Sequence, residues 1–518
     1  MSKAKKAAKS AAIIMFFTLA SKFLGFLREV LIAKKFGSGW ETDTYFIAMT
    51  ATTMIMGMVG AALNTTVIPL FSEIEVRHGK ERKIDYMNNI LNVVFFIAII
   101  IMVLGWIFSP AIIRILAKGF EGEQFELAVK LNRIGLPIVL FMGTTYILKG
   151  FLESNENFIA PAAMSLPFNL IYIVFLLFFS KQFGIKGLMV TSVIASASQA
   201  VLQVPSTRRL GYKYQFKFDL KDRYLDKALM LTIPVLIGSA IDDINAIVDK
   251  TLASDLATGS ISALTYANRI KSIVLGVFVM AIATVIFPMI SKESSKDNMD
   301  SLKKIMGYGI NIVLIITIPA TIGLIVLAEP FVRIFFQRGA FNSTATLMTS
   351  QAVTFYSIGM VGMALKIMLS KVFYSIQDTR TPMINGAIAV GINIGLNLIL
   401  VRFMAHRGLA LATSISAIFT TLLLINSLRK KLGNMDIKNY LSCFIKSTIA
   451  SIVMGIVVYA IYNGLYPILG SRKILDLIAF LLSVGIGSVI YFGLCYLFKI
   501  EEINFIMDRI KLKMKIKM

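Results

Sequence analysis

Long apolar runs, broken by short polar or charged stretches, recur along the whole chain. A membrane-spanning helix needs about 20 mostly apolar residues. Reading the runs against turn and charge punctuation gives fourteen such segments, at 12–34, 45–71, 88–115, 132–152, 160–180, 185–204, 228–253, 260–290, 306–329, 347–372, 381–402, 408–427, 443–464 and 475–498. The pattern predicts an all-α polytopic membrane protein with fourteen transmembrane helices, because only helices satisfy their own backbone hydrogen bonds in lipid while reading as continuous apolar runs. Lys22 and Arg28 interrupt the first run and no small-residue cleavage site follows, so it is read as helix 1 and not as a signal peptide.

The punctuation itself repeats. Pro69 in VIPLFSE matches Pro288 in VIFPMISKE, Pro110 in PAIIRILAKGF matches Pro330 in PFVRIFFQRGAF, Lys149 matches Lys371, and Pro161 matches Pro382, at offsets of 219, 220, 222 and 221. A near-constant period over six helices implies two six-helix halves, and the even helix count makes them parallel repeats. The expected organisation is an N-lobe over 1–205, a basic linker over 206–227, a C-lobe over 228–428, two extra helices within 429–498 and a tail over 499–518. Two such bundles are the usual layout of an alternating-access transporter.

Composition agrees with the pattern. The chain has 518 residues, 57% apolar and 16% charged, against roughly 45–50% and about 25% for soluble domains. The formal charge of +24 would suggest nucleic-acid binding in a soluble protein; with a mean hydropathy of +0.76 it is a topology signal instead. Most Lys and Arg fall on one side, in the N-terminus (Lys3, Lys5, Lys6, Lys9), the 206–227 and 291–304 loops, Arg429-Lys430-Lys431 and the tail. That side is assigned to the cytoplasm and both termini with it. From 499 onward Ile, Met and Phe alternate with Lys and Arg, as in a basic amphipathic helix on an anionic membrane surface or a solvated tail that enforces topology. Cys443 and Cys495 lie in or beside apolar runs, so neither a disulfide framework nor a zinc site is indicated.

Charges inside spans cost roughly 2.5–3.5 kcal/mol each at mid-helix, so they face a wet cavity or a partner. Helix 1 carries Lys22, Arg28 and Glu29, with Lys22 and Glu29 on one face; helix 8 carries Arg269 and Lys271, and helix 10 carries Lys366. The functional reading is a cationic cavity for an anionic substrate, since guanidinium groups bind phosphate bidentately. The structural alternative is snorkelling or pairing, Arg28 with Glu29 or Arg269 with an acid of helix 7. On helix 7, Asp249 is a candidate ligand for a coupling cation together with Asn393 and Asn397 of helix 11 and Thr413 of helix 12. Such oxygen donors suit a hard ion such as sodium; the alternative is interhelical hydrogen bonding.

SKFLGFLRE (21–29), FGSGWETDTYFIA (36–48), VIPLFSE (67–73), GSISALTYANRI (259–270), GVFVMAIATVIFPMIS (276–291) and FYSIQDTRTP (373–382) resemble the MurJ (MviN) lipid II flippases of the multidrug/oligosaccharidyl-lipid/polysaccharide exporter superfamily. The similarity runs over essentially the whole chain. It implies an N-lobe and a C-lobe around a central cationic cavity, and export of undecaprenyl-diphosphate-linked disaccharide-pentapeptide from the inner to the outer leaflet. The family's helix 1 basic residues fall on Lys22 and Arg28, with Glu29 where an Asp is common. Its helix 8 arginine falls on Arg269 and its loop acid on Asp43. A family sodium site maps onto Asp249, Asn393, Asn397 and Thr413, with Asn397 where an acid is expected, and helices 13 and 14 are expected to offer a groove for the lipid tail.

The expected function is therefore lipid II flipping by alternating access in the plasma or inner membrane, by a monomer with no cofactor beyond a candidate sodium ion. A flippase for another lipid-linked polysaccharide or teichoic-type oligosaccharide is the alternative. A drug/cation antiporter would need an acidic or aromatic cavity, and a glycosyltransferase would need a sizeable outer loop or a carboxylate cluster. The chain is read as a transporter and not an enzyme.

Overall fold

The computed structural model describes residues 3–296, 298–469 and 473–504. Among these, helix covers each of the fourteen expected positions and no strand is present. Among the described residues, nine helices are long and apolar enough to cross a membrane, or ten if one bent pair counts as a span. Part of the difference from fourteen lies in continuous helices, since Trp40–Ile107 and Ile159–Arg209 each take in two expected segments.

Packing divides the chain into two compact units. The first, 1–262 with 338–341, contains α1 (Lys3–Phe36), α2 (Trp40–Ile107), α3 (Ser109–Leu116), α4 (Gly122–Gly135), α5 (Ile138–Ser154), α6 (Ile159–Ala163), α7 (Ser165–Val174), α8 (Ser180–Arg209) and α9 (Arg223–Ser254). The second, 263–337 and 342–518, contains α10 (Ser260–Val274) beyond its first three residues, α11 (Met280–Ser294), α12 (Met299–Val326), α13 (Ala328–Phe336), α14 (Ser343–Ile358), α15 (Met360–Ser375), α16 (Arg380–Met404), α17 (His406–Leu432), α18 (Ile437–Leu469) and α19 (Lys473–Leu497). The repeat boundary and the packing boundary fall at different places, because α9 belongs by sequence to the second repeat yet packs along α2.

Each unit has its own core. In the first, Phe71 meets Tyr86 and Phe151 edge-on, both at 5.7 Å between ring centroids, a geometry that adds to simple burial. In the second, α18 and α19 are part of the core and not a loose addition. Met454, Val458 and Cys495 pack into the same cluster as Met306 and Met368, and the Tyr491 hydroxyl donates to the Ile315 carbonyl at 2.7 Å. Ile500 and Ile503 join that cluster too, so the tail begins as core; from 505 onward the expected amphipathic helix lies outside the described residues.

The breaks in the helices have local causes. Inside α2 the backbone turns left-handed at Gly79 (φ 81°), which glycine permits without a Cβ clash. Between α14 and α15 the axis bends by 48°. There the Ser414 hydroxyl donates to the Phe355 carbonyl at 2.6 Å, and a Cβ on Gly359 would lie 2.3 Å from Ser414 Cα. A side chain inserted into the helical ladder is a known cause of kinks.

The repeat is written into these breaks. Positive φ angles occur at Gly37 and Gly259 (72° and 92°), Glu156 and Gln377 (56° and 59°), Gly184 and Ala405 (56° and 51°), and Gly211 and Gly433 (89° and 73°). Their separations of 221 or 222 match the period read from the prolines.

The 206–227 linker is pinned to α2. Tyr212 donates to Asn88 Oδ1 at 2.8 Å, Asn89 Nδ2 to the Asp219 carbonyl at 2.8 Å, and Asn92 Nδ2 to the Lys217 carbonyl at 3.0 Å. Ion pairs Arg82–Asp222 and Lys217–Asp85, each at 2.8 Å, flank these bonds. Three asparagines supply the acceptors and donors that a short loop without regular structure otherwise lacks.

Candidate functional site

In the first unit the structure builds a fixed guanidinium. Arg28, on α1, donates through Nη2 to Glu29 Oε1 at 2.6 Å and through Nη1 to Asn169 Oδ1 of α7 at 3.1 Å. Its guanidinium lies 5.1 Å from the Tyr172 ring centroid and 5.4 Å from that of Phe168, within cation–π range. Asn169 is itself oriented by donating to the Ser165 carbonyl at 2.8 Å. The Tyr172 hydroxyl meets Tyr45 at 3.3 Å, and Tyr45 meets Ser192 at 3.1 Å. Arg28 thus pairs with Glu29, as the structural alternative expects, and its side chain, 15% exposed, is held in one geometry by three residues of α7.

The other first-unit candidates separate. Lys22 is exposed whereas Glu29 is buried, so two residues on one helical face sit in different surroundings as α1 runs into the core. Asp43 is buried at the start of α10. Its Oδ2 accepts from the Gly259 N–H at 2.6 Å, and its Oδ1 accepts from the Ser262 N–H at 2.7 Å and the Ser262 hydroxyl at 2.5 Å. These bonds occupy both oxygens in capping a helix N-terminus, where a carboxylate also complements the helix dipole. Asp249 is half-buried on α9. Its neighbour Lys250, which the sequence reading did not single out, donates to the Phe46 carbonyl at 3.2 Å and to the Thr50 hydroxyl of α2.

In the second unit Arg269 is exposed on α10, and Lys271 places its ammonium 4.5 Å from the Tyr356 ring centroid. Asn393 and Asn397 are both buried on α16, and Asn397 Nδ2 donates to Asn393 Oδ1 at 2.8 Å. Asn393 Nδ2 has no hydrogen-bond partner among the described residues. Thr413 of α17 is half-buried and donates to the Leu409 carbonyl at 3.0 Å, leaving its oxygen able to accept. These are oxygen donors without thiol or imidazole, a set that fits a hard monovalent cation and not a transition metal.

The second unit also holds an apolar groove of about 550 Å³, walled by Leu314 and Ile318 of α12, Leu365 of α15, Ile418 of α17 and Phe444 of α18. Of the two helices expected to offer a groove, α18 lines this one and α19 does not.

A family model described as lipid II flippase MurJ matches residues 32–469. Among curated relatives, a probable lipid II flippase MurJ from Rickettsia prowazekii is 29% identical over 95% of this chain and 98% of its own length. One from Vibrio cholerae is 30% identical over 82% and 83%. Among solved structures, a lipid II flippase MurJ in an inward closed conformation superposes with a TM-score of 0.79 at 27% identity, covering 94% of this chain and 98% of that one. An inward-facing MATE family transporter of the MOP superfamily gives 0.69 at 16% identity over 81% of this chain and 98% of that one, a likeness of fold alone.

Proposed function

We propose that this chain, which belongs to the lipid II flippase MurJ family, carries lipid II from the cytoplasmic to the outer leaflet of the cell membrane by alternating access. It is a transporter: it moves its substrate and makes or breaks no bond in it. The observation that carries the reading within the chain is Arg28, a guanidinium fixed inside a membrane helix by Asn169 and two aromatic rings.

A diphosphate bearing sugars cannot cross about 30 Å of hydrocarbon unaided. The protein must supply paired cations where the headgroup passes and leave the polyprenyl chain in apolar surroundings. Arg28 offers the bidentate fork that phosphate oxygens fit. Glu29 occupies one arm of it, so an arriving diphosphate exchanges with a resident carboxylate and finds the guanidinium already oriented. Arg269 and Lys22, both exposed, are the further phosphate ligands in this reading. Asp43 serves the site indirectly by holding the start of α10, the helix that bears Arg269. The apolar groove beside α18 takes the tail.

Asp249, Asn393, Asn397 and Thr413 would hold a sodium ion, which would supply a gradient to bias the transport cycle. The membrane potential is the other source, worth about 2.3 kcal/mol per charge per 100 mV. The protein acts as a monomer with both termini in the cytoplasm.

The deciding experiment is complementation of cells depleted of their lipid II flippase, with a leaflet-accessibility assay for the precursor. Rescue is expected for the wild-type chain and lost for Arg269→Ala at normal expression. No rescue with lipid II, but transport of another polyprenyl-diphosphate sugar, would reassign the substrate.

A further inference from the structure

Two cavities of the second unit adjoin on α12, and the polar one borders the groove beside α18 at Tyr440. One is apolar, about 540 Å³, formed by Ala281, Val285 and Met289 of α11 against Ile305 and Ile312 of α12. The other is polar, about 630 Å³, and contains Asp300, Lys303, Asp436, Glu501 and Glu502. Lys304 and Tyr308 line both. They stand one helical turn apart and both are exposed, so apolar slot and charged recess form one continuous surface with an ammonium and a phenol at the junction.

The slot is open, with Val285 65% exposed, and its apolar lining on membrane-spanning helices suits a hydrocarbon chain. The recess lies at the end of α12 that the Lys and Arg distribution assigns to the cytoplasm. It combines four carboxylates with two ammoniums, an excess of negative charge that disfavours an anionic headgroup. A second feature asks for a hydrogen-bond donor there. Asn311 is 1% exposed and lines the recess; its Nδ2 donates to Glu502 Oε1 at 2.6 Å, and its Oδ1 has no partner among the described residues. A buried acceptor without a donor is unfavourable, and a donor placed in the recess would relieve it.

We propose that this surface binds an aminophospholipid of the phosphatidylethanolamine type, with an acyl chain in the α11–α12 slot, its phosphate on Lys304 and Tyr308, and its ammonium among the carboxylates and Asn311. A primary ammonium carries three N–H donors, which the carboxylates and Asn311 Oδ1 can accept. A trimethylated ammonium has none, and a glycerol headgroup leaves the phosphate charge uncompensated beside the acids. The acyl slot shares no residue with the groove beside α18, which meets the polar recess only at Tyr440.

The test uses the full-length protein in detergent, offered phosphatidylethanolamine, phosphatidylglycerol and phosphatidylcholine of identical acyl chains, with retained lipid counted by native mass spectrometry. Phosphatidylethanolamine should be retained about tenfold over each of the others, the ratio given by one charge-assisted hydrogen bond of about 1.4 kcal/mol. Lys304→Ala should lower retention of all three lipids. The pair Asp436→Asn with Glu501→Gln should lower phosphatidylethanolamine selectively and raise phosphatidylglycerol. Equal retention of the three lipids by the wild type, or phosphatidylglycerol first, overturns the proposal. This ranking needs no variant, so a variant that fails to fold leaves the decision intact.

Discussion

Asp43 holds Ser262 by two hydrogen bonds, from the backbone N–H at 2.7 Å and the hydroxyl at 2.5 Å, across 219 residues of sequence. That separation falls in the register of the internal repeat. The carboxylate at the start of the second helix of one copy caps the second helix of the other.

Removing such a cap typically costs about 1 kcal/mol. Asp43→Ala should lower the melting temperature of the purified protein, and Asp43→Asn should lower it less, since the amide keeps one acceptor oxygen. An unchanged melting temperature in Asp43→Ala would mean that other contacts hold the start of α10.

Arg28→Ala takes a cation from beside the buried Glu29 carboxylate. Breaking a buried pair costs about 3–5 kcal/mol, so this variant should be both unstable and inactive. Adding Glu29→Gln should return most of the stability without returning lipid export. Recovery of export in the double variant would show that Arg28 serves the fold and not the substrate.

If Asp249 takes part in holding sodium, sodium chloride should raise the melting temperature of the wild type over an equal concentration of choline chloride. Asp249→Asn should abolish the difference. An equal sodium response in both proteins would remove Asp249 from the ion site.

Asp378 lies in the turn before α16, where Lys431 and Thr381 hydrogen-bond its carboxylate. Burial alone would raise its pKa; the hydrogen bonds outweigh burial and bring it to about 2. A folded-state value below the unfolded one contributes stability above about pH 3.9. That contribution disappears as the pH falls towards 2. Melting temperatures of the wild type and Asp378→Asn should therefore differ at neutral pH and converge between pH 4 and 2.

The helices could be read from the sequence because an apolar run long enough to span a membrane is a local property. The repeat could be read because prolines and charged turns keep their spacing. What escaped depends on partners distant in the chain. Asn169 lies 141 residues from Arg28, and no periodicity links them. The resemblance places a family acid at Asp43 but not its hydrogen-bond partners, which begin 216 residues away. The 206–227 segment carries so much positive charge that topology alone accounted for it. Its anchoring by Asn88, Asn89 and Asn92 was hidden, because three amides on a membrane helix look the same whether they face water or a loop. The bend at Gly359 needed Ser414, which belongs to another helix.

The paired left-handed positions have a consequence for ancestry. At 184 one copy keeps glycine where the other, at 405, has alanine, and at 156 and 377 the letters are Glu and Gln. The residue types have drifted while the hand of the backbone has not. The record of the duplication survives more faithfully in torsion angles than in amino acids, and relatives too diverged to align by letter can be placed in register by the positions where their chains turn left.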